Sequence, residues 1–140
     1  MTFCKEVALV TYKNFIVSVD LGDLNSVEFD FLSIWDFIKK KKNFQKEYLN
    51  FFHSHAPACD FCSTTDINCI KGLTLAFGYS INFWILSLET CLKKYRLEKD
   101  EVKCVRSIDI KDFRSSVIDE YFDVRMINSI LSLISMKVGK

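Results

Sequence analysis

The residues of this sequence whose types and spacing suit catalysis lie between positions 53 and 66. His53 and His55, the only two histidines of the chain, are separated by a single residue, and Asp66 follows in what reads as the first turn of a helix. Two histidines at alternate positions at a strand end can turn both imidazoles toward one point, and the carboxylate can supply a third ligand. Three protein ligands with one open position are typical of a catalytic zinc site.

A zinc ion held by His53, His55 and Asp66 would activate water for hydrolysis. Water in the open position has its pKa lowered toward neutrality, and a nearby carboxylate completes its activation for attack on a carbonyl. Ser63 stands at the start of the following helix, where its hydroxyl could donate a hydrogen bond to the oxyanion that develops. The pattern therefore predicts Zn²⁺ as the cofactor and hydrolysis as the reaction.

The histidine pair, the seven residues after it and the Ser-x-x-Asp at positions 63–66 resemble the signature of the JAMM (JAB1/MPN/Mov34) metallopeptidase family. The resemblance implies that His53, His55 and Asp66 bind zinc. It also implies that Ser63 assists the oxyanion and that Glu6 is the general acid and base. Members of this family cut the isopeptide bond that joins a ubiquitin-like protein to lysine, or cut small peptides, so such a conjugate or peptide is the expected substrate.

The resemblance extends over the elements from about residue 5 to residue 88. It implies an α/β fold, a cytidine deaminase-like mixed β-sheet flanked by helices. The sequence departs from the family pattern at two places. No glycine follows Glu6 at positions 7–10, and Pro57 stands one residue later than is usual after the second histidine. Asp20 and Glu28 are therefore alternative positions for the general base.

Two other interpretations of the same segment stay open. Cys59 and Cys62 form a Cys-x-x-Cys that could join the two histidines in a structural His2Cys2 zinc site, with Cys69 nearby. That site would leave the Ser-x-x-Asp unexplained, so the two cysteines are interpreted as free thiols. The second alternative is a catalytically silent MPN-like binding scaffold.

Length and composition limit the class of protein. The chain has 140 residues, 49% of them hydrophobic, which predicts one domain over residues 1–140 and excludes intrinsic disorder. Its formal net charge of +1 provides no long-range field for nucleic acid or anionic lipid, so neither is expected as a partner. No export signal and no membrane span are recognised, and the expected location is the cytoplasm with reduced cysteines.

Apolar periodicity and turn residues predict the elements that would position the site. These are strands at 6–12 and 15–21, a helix from Asp30 or Ser33 to the lysine run 39–42, a strand at 48–52, a helix from Ser63 to Gly78, strands at 81–88 and 101–108, and a helix over 112–136. The lysine run is interpreted as a complement to the helix dipole. The apolar stripe of the last helix is interpreted as core or as a dimer face, so a homodimer is possible. This order of elements predicts a mixed sheet with helices on its faces.

Overall fold

One six-stranded mixed sheet organises the described part of the chain. The structure is a computed structural model that describes residues 6–22, 29–55, 62–87, 91–109, 118–119, 122–123, 126–127 and 129–130. The strands are β1 (Val7–Tyr12), β2 (Phe15–Leu21), β3 (Leu49–His55), β4 (Asn82–Ser87), β5 (Cys91–Glu98), β6 (Glu101–Asp109), β7 (Ile118–Asp119) and β8 (Phe122–Asp123), and the helices are α1 (Phe31–Lys40) and α2 (Thr64–Phe77). The predicted α/β class with a mixed sheet is confirmed.

The strand order places the site-bearing elements at the centre of the sheet. The order is β2-β1-β3-β4-β5-β6, in which β3 and β4 are parallel and the other neighbours are antiparallel. Parallel neighbours need a crossover connection, and α2 is that connection between β3 and β4. The carboxyl end of β3 and the first turn of α2 consequently lie at the same edge of the sheet.

Each helix begins at a polar cap that the sequence predicts. The Asp30 side chain accepts a hydrogen bond from the Ser33 amide at the start of α1, and Ser63 caps α2 in the same way through the Asp66 amide. Helix α2 ends at Gly78, whose φ of 78° is the left-handed conformation that glycine adopts without strain. Neither described helix combines the length and the apolarity needed to cross a bilayer.

Alternation along the strands creates two apolar layers, one on each face of the sheet. In β3, Phe51 faces the helices and Phe52 faces the opposite side. The helix-side core joins Ile34 of α1 and Ile70 of α2 to the sheet. The opposite face is covered by the described C-terminal residues, among them Phe122, which is fully buried. The two described helices therefore lie on the same face.

Strand β5 is absent from the predicted order of elements. Its sequence, CLKKYRLE, carries three cations in eight residues and lacks the alternation of a half-buried strand. Lys94 is nevertheless only 8% exposed, and its ammonium group lies 5.6 Å from the centroid of the Trp84 ring. A lysine stem can cover apolar surface in this way, so the charge pattern concealed a buried strand.

The predicted helix over 112–136 is wrong for part of its length. Strands β7 and β8 pair antiparallel inside it, and among the described residues of that segment only positions 126–127 and 129–130 are helical. The Phe122 ring packs edge-on against Phe52 and Trp84, with centroids 5.0 and 5.2 Å away. Its burial therefore comes from a strand that meets the sheet, and part of the apolar stripe is core. The rest of the predicted helix lies outside the described residues.

Removing the Phe122 ring should destabilise the protein strongly. Phe122→Ala leaves a cavity against Phe52 and Trp84, so we expect the free energy of unfolding in urea to fall by about 3–5 kcal/mol. Leu32→Ala is the control, because Leu32 is 85% exposed, and should change it by less than about 0.5 kcal/mol. Equal small effects of both changes would show that Phe122 does not anchor the C-terminal segment to the sheet.

Candidate metal centre

His53, His55 and Asp66, predicted as metal ligands, lie together in the structure. The two-residue period of β3 puts both histidines on the face that α2 covers, and Asp66 occupies the first turn of α2. Their exposed fractions are 7%, 6% and 2%. One potential ligand atom from each residue lies within 4.8 Å of the others. This group could therefore hold a metal ion.

The Asp66 carboxylate contacts both imidazoles. Its Oδ1 lies 2.8 Å from Nδ1 of His53, and its Oδ2 lies 3.0 Å from Nε2 of His55. Burial alone would raise the pKa of Asp66, but hydrogen bonds from the two histidines and from Ser63 hold it well below its usual range. Asp66 is therefore a carboxylate anion at neutral pH.

Ser63 fixes the orientation of Asp66. The Ser63 hydroxyl donates a hydrogen bond to Asp66 Oδ2 over 2.7 Å, and the same carboxylate oxygen accepts one from the Ser63 amide over 3.1 Å. In return, the Asp66 amide donates to the Ser63 hydroxyl, completing a capping box. The role at an oxyanion that the resemblance implies stays a prediction, since the observed contacts of the Ser63 hydroxyl are with Asp66.

Glu6, the general base that the resemblance implies, lies beside His53, and its role stays a prediction. It precedes β1, which pairs with β3 so that Ala8 is opposite His53. Glu6 Oε1 is 3.0 Å from Nε2 of His53, and the Glu6 side chain is 17% exposed. Burial alone would lower the pKa of His53, but hydrogen bonds and charges of Asp66 and Glu6 raise it to about 9.

Ser54 is a positioning residue that sequence reasoning missed. Its hydroxyl, on the face opposite the histidines, accepts a hydrogen bond of 2.8 Å from the Val7 amide. Val7 directly follows Glu6, so this bond fixes the start of β1 beside the end of β3. Ser54 is 1% exposed, and a buried hydroxyl needs a hydrogen-bond partner. In the sequence, the available signal was a serine at the end of an apolar strand.

Of the two alternative positions for the general base, the structure describes Asp20 and not Glu28. The Asp20 carboxylate accepts a hydrogen bond from the Asp30 amide over 3.1 Å, at the start of α1. It lies in the same row as His53, but β1 separates the two strands. Glu28 lies outside the described residues. Of the carboxylates proposed for the base, Glu6 is the one that the described part of the chain brings to the histidines.

The cysteines of the described residues do not join the cluster. Cys62 packs against the helix-side core, and burial raises the pKa of its thiol to about 12. Burial likewise raises the pKa of the Cys69 thiol to about 11. Among the described residues, the group of metal-ligating side chains consists of the two histidines and Asp66. Cys59, the other half of the Cys-x-x-Cys, lies outside them.

The donor atoms of the cluster fit a divalent cation. The ring nitrogens of His53 lie 2.8 Å from Asp66 Oδ1 and 3.0 Å from Glu6 Oε1, and Nε2 of His55 lies 3.0 Å from Asp66 Oδ2. Because a metal binds deprotonated ligands, a cation here would replace protons that the imidazoles share with the carboxylates. Two imidazoles and a carboxylate are a donor set that zinc accepts in proteins.

Neither a scan of protein-family models nor a search of curated proteins finds a match to the chain. The functional interpretation therefore depends on the motif spacing and on the observed cluster. In that cluster Asp66 contacts both His53 and His55, and Glu6 contacts His53.

The pKa of His53 predicts a pH-dependent stability for protein stripped of metal with a chelator. Since its folded value of about 9 exceeds the ordinary 6.5, the protonated ring contributes stability that is complete below pH 6.5 and is lost as the pH rises through 9. Urea unfolding across this window should show the loss. Asp66→Asn should weaken the pH dependence, whereas Asp36→Asn, an exposed control, should preserve it. A flat profile in the wild type would contradict the assignment.

Proposed function

We propose that this protein is a zinc-dependent hydrolase of the JAMM type that cleaves an amide or isopeptide bond. The observation that supports the proposal best is the buried cluster itself. Residues in the register of the JAMM signature lie in contact, and the Glu6 carboxylate is 3.0 Å from His53. A general base must be within hydrogen-bond reach of the reacting water, and a carboxylate this close to a proposed zinc ligand supports the assignment of that role to Glu6.

His53, His55 and Asp66 would hold the zinc ion. When bound, Zn²⁺ polarises a carbonyl and lowers the pKa of water, which makes water a nucleophile at neutral pH. The three protein ligands leave the remaining position open to substrate. The Ser63 hydroxyl, at 2.7 Å from Asp66 Oδ2, orients the carboxylate ligand, and such outer partners tune metal affinity.

Glu6 would handle the protons of the reaction. Its carboxylate would accept a proton from the attacking water and return it to the leaving amine, so that a neutral amine departs. The partial exposure of Glu6, 17% of its side chain, allows substrate and water to approach it. The hydrogen bond between Ser54 and the Val7 amide would keep this carboxylate beside the histidines.

The order of strands and helices supports the proposal that the domain has the deaminase-like fold of the JAMM family. The parallel β3–α2–β4 unit carries all three proposed ligands, and the antiparallel β1 brings the proposed base. We further propose a ubiquitin-like conjugate or a small peptide as substrate. The proposed deaminase-like fold and the proposed substrate both rest on the motif resemblance.

A catalytically silent scaffold is the second candidate, and one observation favours it. A protonated His53 between Asp66 and Glu6, at 2.8 and 3.0 Å, has both ring nitrogens paired with carboxylates without a metal. Such an arrangement could stabilise a binding domain of the same fold. The two candidates differ in metal content and turnover.

Metal analysis separates the proposed site from the structural His2Cys2 site. Asp66→Asn and His55→Ala each remove a ligand, so zinc affinity should fall by more than the roughly 10–100-fold cost of losing an outer partner. Cys59→Ser combined with Cys62→Ser should leave it near wild type. Competition with a zinc-binding dye measures all three. Retained zinc in Asp66→Asn with loss in the double cysteine variant would support the structural site instead.

Turnover separates the enzyme from the scaffold. Glu6→Gln should keep the fold and the zinc but lower turnover by roughly 10²–10⁴-fold, since it removes the proton acceptor. Asp20→Asn and Glu28→Gln should have little effect. Product release from ubiquitin-like conjugates and a peptide library, with a chelator control, is the measurement. Zinc-loaded wild type that cleaves nothing in this panel would favour the scaffold.

A further inference from the structure

The outward surface of the two helices exposes large apolar side chains. Both helices pack their buried residues on the same face of the sheet, so their outer sides point the same way. Leu32 on α1 and Leu75 on α2 are each 85% exposed, and Trp35 is 47% exposed. The Trp35 ring contacts Phe77 of α2 at 5.6 Å, which makes the two helices neighbours. We call this surface, formed by Leu32, Trp35 and Leu75 with the lysine run 39–42 and Lys71, the helix-layer face.

The charges on the helix-layer face are mostly positive. Helix α1 and the residues directly after it carry the lysine run 39–42, and α2 adds the exposed Lys71. Of the acids of these two helices, Asp66 is buried and Asp36 is paired with Lys40 over 3.1 Å, and the N-cap of α1 adds the exposed Asp30. The net charge of +1 for the whole chain therefore conceals an uneven distribution.

The helix dipole accounts for the lysine run but not for Lys71. Lys39 and Lys40 lie in the last turn of α1 and Lys41 and Lys42 directly follow it, where a cation is favourable. Lys71 belongs to α2 and does not complement that dipole. The dipole favours the cations at the end of α1 without neutralising them, and Lys71 adds positive charge from the second helix.

We propose that the helix-layer face binds the surface of an anionic lipid bilayer. A bilayer accepts protruding leucine and tryptophan side chains at its interface without a matching pocket, and its acidic headgroups attract lysines nearby. Leucines exposed to 85% project from the surface, which suits insertion. The binding is peripheral, with α1 and α2 lying along the interface. It is independent of the proposed catalysis.

The two tryptophans allow a direct test. Trp84 is fully buried and Trp35 is 47% exposed, so a change in emission on adding vesicles reports on Trp35. Vesicles of equal parts phosphatidylserine and phosphatidylcholine should shift the emission to shorter wavelength and sediment with the protein. Vesicles of phosphatidylcholine alone should do neither, and added salt should weaken the binding.

Variants identify the surface that binds. Leu32→Glu with Leu75→Glu should lower the partition coefficient at least about tenfold, and Lys41→Glu with Lys42→Glu should do the same. Val105→Glu is the matched control, because Val105 is 42% exposed on the edge strand β6, and should bind as wild type does. Unfolding curves confirm that each variant is folded.

Three results would overturn the proposal. The first is no binding to the anionic vesicles by wild type, and the second is equal binding to phosphatidylcholine alone. The third is a change of oligomeric state in Leu32→Glu when neither this variant nor the wild type binds vesicles. That result would assign the helix-layer face to contacts between copies of the chain. Zinc content and turnover are separate measurements, so failure of the hydrolase proposal leaves this test intact.

Discussion

The buried negative charge of Asp66 is the constraint on which the site depends. An ionised carboxylate that is 2% exposed is costly unless hydrogen bonds and a positive charge compensate it. The capping box of α2 supplies Ser63, and the strand beneath supplies two imidazoles. Glu6 adds a second carboxylate on the other side of His53. The cluster consequently needs positive charge at its centre, which a proton on an imidazole or a divalent cation can provide.

Local sequence signals predicted the parts of the fold that local interactions determine. The Ser63 cap and the Gly78 stop bound α2 as predicted, whereas β3 extends three residues past the predicted strand at 48–52 and so includes both histidines. The elements that were predicted wrongly depend on tertiary contacts. Lys94 of β5 is accommodated because its ammonium group lies over the Trp84 ring of β4, and the strand carrying Phe122 is specified by its contacts with Phe52 and Trp84. Neither kind of contact is visible in a periodicity.

The residues of the candidate site also divide into those placed by local sequence and those placed by tertiary contacts. His53, His55 and Asp66 belong to one strand and the helix after it, so their spacing alone was informative. The position of Glu6 depends on the register between β1 and β3, and a shift of one residue would turn its side chain to the other face. The sequence could name Glu6 only through a family resemblance. Ser54, which secures that register from the opposite face, carried no signal in the motif.

The crossover between β3 and β4 has a consequence for the order in which the site assembles during folding. His53 and Asp66 are 13 residues apart, whereas the bond from Val7 to Ser54 spans 47 residues. Short loops close faster and at lower entropic cost than long ones. The side chains of His53, His55 and Asp66 can therefore meet while the N-terminal hairpin is still unpaired. A cation held by them at that stage would stabilise the β3–α2 unit before the carboxylate of Glu6 reaches His53.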